Sequence, residues 1–250
     1  MRSLNDDEKL NEIVKLLKRD AKKESEFLSD PIELKQNRVY AIPNYGSAMA
    51  PFYTTLALWV GAFILLALLT VKVKSFKADI KLTVGEQFLG RYLTFATIAI
   101  MQALVTILGN LFLLKTYATS PIVYIIFGIY ISIVFIMIIY TLVSVLGNIG
   151  KALAMIALVL QVSASGGTFP IELMPSFFQA INPMLPFTYA IGGMREAVGG
   201  ILPEVLIKNT LILSLYFIVS IIFGLLLKEK ANKINEKFVK QFKDSGLAGE

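Results

Sequence analysis

Residues 165–200 read SGGTFPIELMPSFFQAINPMLPFTYAIGGMREAVGG, a stretch that is as apolar as a membrane span but is interrupted by four prolines. Each proline removes a backbone N–H and clashes with the carbonyl four residues earlier, so no straight helix can pass through this stretch. Broken backbone at membrane depth is stable only where protein or a water-filled cavity shelters it. We therefore expect any functional centre to lie here. The prolines are Pro170, Pro175, Pro183 and Pro186.

The composition of the chain is that of a membrane protein. Of its 250 residues, 56% are hydrophobic and 17% are charged, and several uncharged runs exceed the ~20 residues of a spanning helix. The chain contains neither cysteine nor histidine, which removes disulfides and the most common general base and metal ligand. The sequence therefore predicts no cofactor and no enzymatic activity. The net charge of +6 comes from basic residues beside the apolar runs, which indicates orientation in a membrane rather than binding of nucleic acid.

The uncharged runs predict an all-α, polytopic membrane protein with five spans. Residues 1–38 form a polar tail with helical spacing of its apolar residues, which favours a solvated amphipathic helix over a coiled-coil-like segment. Residues 82–92 contain too few apolar residues to span and predict a short interfacial helix. The C-terminal tail, residues 228–250, is rich in basic residues and is predicted to form an amphipathic helix. The predicted spans are residues 51–71, 92–114, 121–146, 152–165 and 209–227.

Basic residues predict the orientation of these spans. Twelve lie in the segments that would face the cytoplasm, whereas three lie in the external loops, or five when Lys35 and Arg38 beside the first span are included. By the positive-inside rule, this asymmetry places the N-terminus outside the cell membrane and the C-terminus in the cytoplasm. The residues assigned to orientation, or to coupling with a cytoplasmic partner, are Lys72, Lys74, Lys77, Lys81, Arg91 and Lys151.

Polar residues within or beside the apolar stretches each allow two interpretations. Arg195 and Glu196 are either a charged pair that reaches water at the membrane interface or a contact in a substrate vestibule. Three Gly-Gly pairs in the proline-rich stretch provide either hairpin geometry or a hinge for gating. Gln102 and Asn110 lie on one face of the second span, which favours hydrogen bonds between helices over contacts with a ligand.

Several short segments together resemble a known family. They are DPI at residues 30–32, YGSAMAPFY at 45–53 and LALWVGAF at 56–63. The proline-rich stretch adds Gly-Thr-Phe-Pro, Glu-Leu-Met-Pro, Asn-Pro, Pro-Phe-Thr-Tyr and Arg-Glu, in that order. In these segments the chain resembles the C-terminal membrane region of the YhgE/Pip family. That family includes the phage infection proteins of Gram-positive bacteria and is similar to the permeases of type-2 ABC exporters.

The resemblance implies that residues 39–227 are an exporter-like membrane domain in which residues 166–200 form a re-entrant helical hairpin on the outer face. It also implies a separate nucleotide-binding ATPase subunit, and either a homodimer or a second permease half. Family members carry one more span and a coiled-coil-rich outer domain ahead of this region, so we expect a truncated or split member. The residues expected in the hairpin are Gly166, Gly167, Pro170, Glu172, Pro175, Asn182, Pro183, Pro186, Arg195 and Glu196.

Two functions follow from these observations. The first is a permease-like component of an export system in the lipid bilayer, with an unidentified substrate, driven by an ATPase that docks on residues 72–91, the turn at Lys151 or the C-terminal tail. The second is a membrane anchor or surface receptor for phage that transports nothing itself. The sequence contains no GxxxxGK[ST] phosphate loop, which is compatible with both.

Overall fold

The structure is a computed structural model that describes residues 9–15, 42–71 and 82–244, with side chains described up to Lys228. Contacts divide the chain into two units, Met1–Val39 and Tyr40–Glu250. In the first unit, residues 9–15 form helix α1, in which Leu10, Ile13 and Val14 are exposed. The described residues contain helices and turns and no strand, so the prediction of an all-α protein is confirmed.

The second unit contains seven α-helices in its described part. The long ones are α2 (Tyr45–Leu68), α3 (Val84–Leu108), α4 (Pro121–Leu146), α5 (Asn148–Ala164) and α8 (Pro203–Asp244); α6 (Ser176–Ile181) and α7 (Pro186–Gly199) are shorter. A π-helical turn, Gly109–Leu113, follows α3, and two 3₁₀ turns, Ile171–Leu173 and Asn182–Met184, flank α6.

Four of these helical segments are long and apolar enough to cross a membrane, judged by length and composition among the described residues: Tyr45–Leu68, Val84–Leu113, Pro121–Leu146 and Pro203–Lys228. They coincide with four of the five predicted spans. The remaining span falls on α5, which has 17 residues. At 1.5 Å per residue α5 is about 25 Å long, shorter than the ~30 Å hydrocarbon core. A fifth span therefore stays a prediction.

Helices α2 and α3 begin earlier than predicted because their N-terminal residues are capped. The side chain of Asn44 accepts a hydrogen bond from the backbone N–H of Ser47 at 2.8 Å, which starts α2 six residues before the predicted span. In α3, the Thr83 hydroxyl accepts from the Glu86 N–H at 3.3 Å, while the Glu86 carboxylate accepts from the Thr83 N–H at 2.7 Å. This capping box starts one continuous helix at Val84.

The separate interfacial helix predicted for residues 82–92 is therefore wrong, because most of these residues form the first turns of α3. Gly90 lies within them, and a single glycine costs only about 1 kcal/mol in a helix interior. The last helix, α8, likewise continues beyond the predicted end at residue 227 to Asp244. No proline or glycine follows Gly224 in that helix, so nothing in the backbone chemistry ends it at the end of the apolar segment.

Helix α4 is the centre of the bundle. It packs against α2, α3, α5, α7 and α8, and its side chains are apolar on every face, as expected for a helix enclosed by others. Three rings join α4 to two of its neighbours: Trp59 of α2, Phe135 of α4 and Phe187 of α7. Their centroids are 5.0 Å (Trp59–Phe135), 5.6 Å (Trp59–Phe187) and 5.4 Å (Phe135–Phe187) apart. We call these residues the aromatic junction.

The proline-rich stretch is divided between the surface and the core. Its prolines precede or begin the successive helical pieces, so the prediction that no straight helix runs through it is confirmed. Helix α6 has no buried residue, whereas α7 packs against α2, α4 and α8. The re-entrant position of this stretch in a membrane stays a prediction.

Close packing of α7 on α4 requires glycine at position 193. A Cβ atom added to Gly193 would lie 2.1 Å from Cζ of Phe127 on α4. Small residues allow such close approach between membrane helices. We expect Gly193→Ala to lower the stability of the bundle by about 1–3 kcal/mol, or roughly 2–10 °C in the unfolding midpoint. The midpoint is measured in mild detergent.

The matched control is Gly90→Ala in α3, because an added Cβ there meets no atom within 4 Å. Alanine is the better helix former, so the control should leave the midpoint unchanged or raise it. Equal destabilisation by the two substitutions would contradict the packing of α7 against α4.

Candidate site at the proline-rich end of the bundle

Arg195 joins α7 to the end of α5. Its Nη2 donates hydrogen bonds to the carbonyl oxygens of Gly166 at 2.8 Å and Gly167 at 3.3 Å, just beyond the last residue of α5, Ala164. Gly166 has a φ of +67°, the left-handed conformation that commonly ends a helix and favours glycine. A cation at this position compensates the negative end of the helix dipole. Desolvation lowers the pKa of the Arg195 guanidinium from its ordinary value, but arginine stays protonated in proteins.

Glu196 makes the corresponding contact at the start of the next helix. Its Oε2 accepts a hydrogen bond from the backbone N–H of Leu202 at 2.6 Å, immediately before the first residue of α8, Pro203. A carboxylate is favourable at the positive N-terminal end of a helix. The turn between the two helices contains Gly200, whose φ of +140° a side chain would strain. The two adjacent charges therefore stabilise two different chain reversals.

Asn182 holds the elbow between α6 and α7. Its Nδ2 donates to the carbonyl of Ala164 at 2.6 Å and to the Thr188 hydroxyl at 3.1 Å, and that hydroxyl donates to the Asn182 carbonyl at 2.8 Å. Nearby, Gln179 donates to the carbonyls of Met174 and Glu172. Polar side chains thus pair carbonyls that the broken helices leave without donors.

The other predicted hairpin residues lie at the breaks between the helical pieces or on the surface. Pro170 and Pro175 immediately precede the first 3₁₀ turn and α6, and Pro183 and Pro186 lie in the first positions of the second 3₁₀ turn and α7. An added Cβ at Gly167 would lie 2.1 Å from the Phe52 ring. Glu172 is exposed.

A cleft opens beside Arg195 and Glu196, with a volume of about 200 Å³. It separates the end of α7 from the first turns of α2, and we call it the Arg195 cleft. Its walls carry one cation and one carboxylate among apolar and backbone surfaces. No group of three acidic side chains that could hold a metal ion occurs in the described part of the chain. The lining residues are Ile42, Ala48, Pro51, Arg195, Glu196, Val198, Gly199 and Gly200.

Two of the six basic residues predicted for orientation or coupling meet at the other end of α2. Both Nε and Nη2 of Arg91 donate to the Thr70 carbonyl, with Nε at 3.0 Å, and Nζ of Lys151 lies 3.5 Å from the Ala67 carbonyl. These cations lie at the negative end of the α2 dipole. Lys72, Lys74, Lys77 and Lys81 lie outside the described residues.

One polar network between helices was predicted in part. Nδ2 of Asn110, in the π-helical turn, donates to the Thr54 hydroxyl at 2.7 Å, and that hydroxyl lies 2.7 Å from the Tyr124 hydroxyl. The predicted interhelical bonding of Asn110 is confirmed. Gln102 packs on Gly61, where an added Cβ would lie 2.0 Å from Nε2 of Gln102.

The burial of Lys228 was not predicted, because this residue begins the basic tail, residues 228–250. Lys228 is only 7% exposed. Its Nζ donates to the Ser144 hydroxyl at 2.8 Å and lies 5.2 Å from the ring centroid of Phe88 and 5.9 Å from that of Tyr140. Cation–π contacts of this kind stabilise a desolvated ammonium group. The available signal was the position of Lys228 directly after an uncharged run.

A helical bundle of apolar spans, with a broken segment packed at one end and basic residues at the other, defines a polytopic membrane domain. Residues 3–226 match the family described as "ABC-2 family transporter protein". The chain therefore belongs to the ABC-2 transporter family, and its apolar helices are those of a multi-pass membrane protein. The resemblance to type-2 ABC exporter permeases is confirmed.

A relative with a curated record agrees with this family. Over 172 residues the chain is 34% identical to "Uncharacterized protein YhgE" of Bacillus subtilis (strain 168), which supports the YhgE/Pip assignment. The match covers 69% of this chain and 22% of the relative, so the chain spans about a fifth of the relative's length. No solved structure gives a significant match.

The Asn182 contact allows a test of the elbow. We expect Asn182→Asp to lower the unfolding midpoint, because a carboxylate would face the Ala164 carbonyl without a donor. An unpaired buried acceptor costs about 1–3 kcal/mol. The measurement is thermal unfolding in mild detergent at neutral pH.

Gln179→Glu is the matched control, since it removes the same kind of amide donor at an exposed position. Water can replace that donor, so the control should change the midpoint little. If both variants unfold like the original chain, the elbow does not depend on Asn182.

Proposed function

We propose that this chain is the membrane-spanning part of an export permease whose transport is driven by a separate ATPase subunit. The observation that carries the proposal is the family match over residues 3–226, which covers all the apolar helices. Permeases of this family typically work with an ATPase subunit, and these 250 residues contain no phosphate-loop motif of their own.

The proposed topology has five crossings, with the N-terminus outside and the C-terminus in the cytoplasm. Helix α5 enters the bilayer from the cytoplasmic side as the fourth crossing. The broken segment that follows it, up to α7, forms a re-entrant hairpin on the outer face. The shortness of α5 and the side-chain pairing of the exposed carbonyls support this arrangement. The receptor-scaffold alternative gains no support from the family match.

Charged side chains lie at both ends of α2, a helix of 24 residues that is about 36 Å long. Arg91 and Lys151 mark one end, and Arg195 and Glu196 mark the other. By the positive-inside rule, the end with Arg91 and Lys151 is cytoplasmic. We assign this end to ATPase docking, together with the continuation of α8. A homodimer, or pairing with a second permease half, would complete the transporter.

The test is affinity purification of the full-length chain from its native host in mild detergent, followed by identification of co-purifying proteins and an ATPase assay. We expect a nucleotide-binding subunit whose recovery falls at least about fivefold in the double variant Arg91→Gln/Lys151→Gln. Both glutamines keep a donor for the helix-end carbonyls while removing the charge that would attract the partner.

The matched control is Lys208→Gln, an exposed lysine near the start of α8 and away from the proposed docking end. It should leave ATPase recovery unchanged. Recovery of no nucleotide-binding protein with the unmodified chain would overturn the proposed function. Equal recovery with all variants would overturn the docking end alone.

A further inference from the structure

The Arg195 cleft contains one cation and one carboxylate that do not neutralise each other. Arg195 and Glu196 both line it, yet their hydrogen bonds go to backbone groups on different segments. Adjacent residues on a helix do not face each other, which explains why neighbouring opposite charges stay separate. The cleft therefore presents a positive and a negative group to whatever enters it.

Both side chains keep bonding capacity beyond these contacts. A guanidinium has five N–H donors, and the bonds to Gly166 and Gly167 use only Nη2. A carboxylate has about four lone-pair sites, and the Leu202 N–H uses one. Arginine binds phosphate well because its planar fork matches the oxygens of the group. A carboxylate is the natural partner of an ammonium group.

On α2, Pro51 and Ala48 line the cleft. Proline and alanine of α2, with Val198 of α7, make that part of the cleft apolar apart from backbone groups.

The size of the cleft limits the ligand. A volume of about 200 Å³ suits a headgroup and not a whole lipid, since pockets for drug-sized ligands are about 300–1,000 Å³. The segments next to the lining residues expose apolar side chains: Tyr45 is 78% exposed, Ile201 39% and Leu202 46%. These surfaces could contact acyl chains outside the cleft.

We propose that the Arg195 cleft binds the zwitterionic headgroup of an amphiphile, with its phosphate on Arg195 and its ammonium on Glu196. The ligand class is that of a phosphoethanolamine-type lipid. Binding requires neither ATP nor transport, so this inference goes beyond the proposed function and can fail independently of it. A lipid of the bilayer and an exported amphiphile share this chemistry.

The test is native mass spectrometry of the purified full-length chain, titrated with phosphatidylethanolamine or with phosphatidylglycerol of the same acyl chains. Phosphatidylglycerol has the phosphate but lacks the ammonium group. We expect about tenfold tighter retention of phosphatidylethanolamine, the value of one charge-assisted contact. Equal retention of the two lipids by the unmodified chain would overturn the proposal without recourse to any variant.

Two substitutions separate the charges. Glu196→Gln keeps an acceptor for the Leu202 N–H and should abolish the preference for phosphatidylethanolamine. Arg195→Lys keeps a donor for the Gly166 carbonyl but loses the planar fork, so retention of both lipids should fall several-fold. Glu172→Gln, an exposed carboxylate that does not line the cleft, is the control and should change neither. Loss of preference in the control as well as in Glu196→Gln would contradict the assignment.

A last comparison distinguishes the source of the headgroup. Glycerophosphoethanolamine carries the same charges without acyl chains. If the ligand is an amphiphile, this compound competes at least tenfold more weakly than the lipid. Equal competition would assign the cleft to a soluble zwitterion and overturn the amphiphile. ATP-dependent release of bound lipid from the reconstituted ATPase complex would identify an exported amphiphile, whereas ATP-independent retention would identify a lipid of the bilayer.

Discussion

The packing of Trp59, Phe135 and Phe187 in the aromatic junction is the constraint on which the rest of the bundle depends. The indole N–H of Trp59 has no hydrogen-bond partner in the part of the chain that the structure describes, so ring contacts hold it. Each aromatic pair contributes about 0.5–1.5 kcal/mol beyond area burial. Because lipid tails are as apolar as the rings, these helices associate through close packing rather than exclusion of water. Three glycines also allow close packing, because each leaves room for a side chain of a neighbouring helix: Gly61, Gly193 and Gly224.

Because α7 is packed in the core, the segment before it must bend to reach α7 and needs hydrogen-bond partners for its backbone groups. The chain must turn several times between α5 and α7, and each break leaves backbone groups without helical partners. Asn182 and Arg195 donate to carbonyls at the end of α5, and Glu196 accepts from the backbone N–H of Leu202 at the turn between α7 and α8. The residues that looked most like a binding site in the sequence therefore have structural partners first. What remains for a ligand is the unused capacity of the two charged side chains beside the cleft.

Local signals in the sequence predicted much of this architecture. Prolines mark the starts of the short helices, and uncharged runs mark four apolar helices. Both signals are local, because a proline or an apolar run determines the conformation or the burial of its own segment. The capping box of α3 was also a local signal, Thr83 followed by Glu86, and it could have prevented the error over residues 82–92. The contacts of Lys228 with Ser144, Phe88 and Tyr140 could not be predicted, and neither could the Arg195 cleft. They depend on contacts between residues distant in sequence, such as the pair Arg195 and Gly166, 29 residues apart.

The chain contains a single tryptophan, so fluorescence quenching reports directly on the aromatic junction. Trp59 is 1% exposed, and its emission in a reconstituted bilayer should be blue-shifted and nearly insensitive to acrylamide and to brominated lipid. Phe187→Ala should increase the quenching. A tryptophan placed at Tyr53, which is 58% exposed on the same helix, should be strongly quenched in a Trp59→Phe background. Equal quenching of Trp59 and of the tryptophan at position 53 would contradict the packing of α7 against α2 and α4.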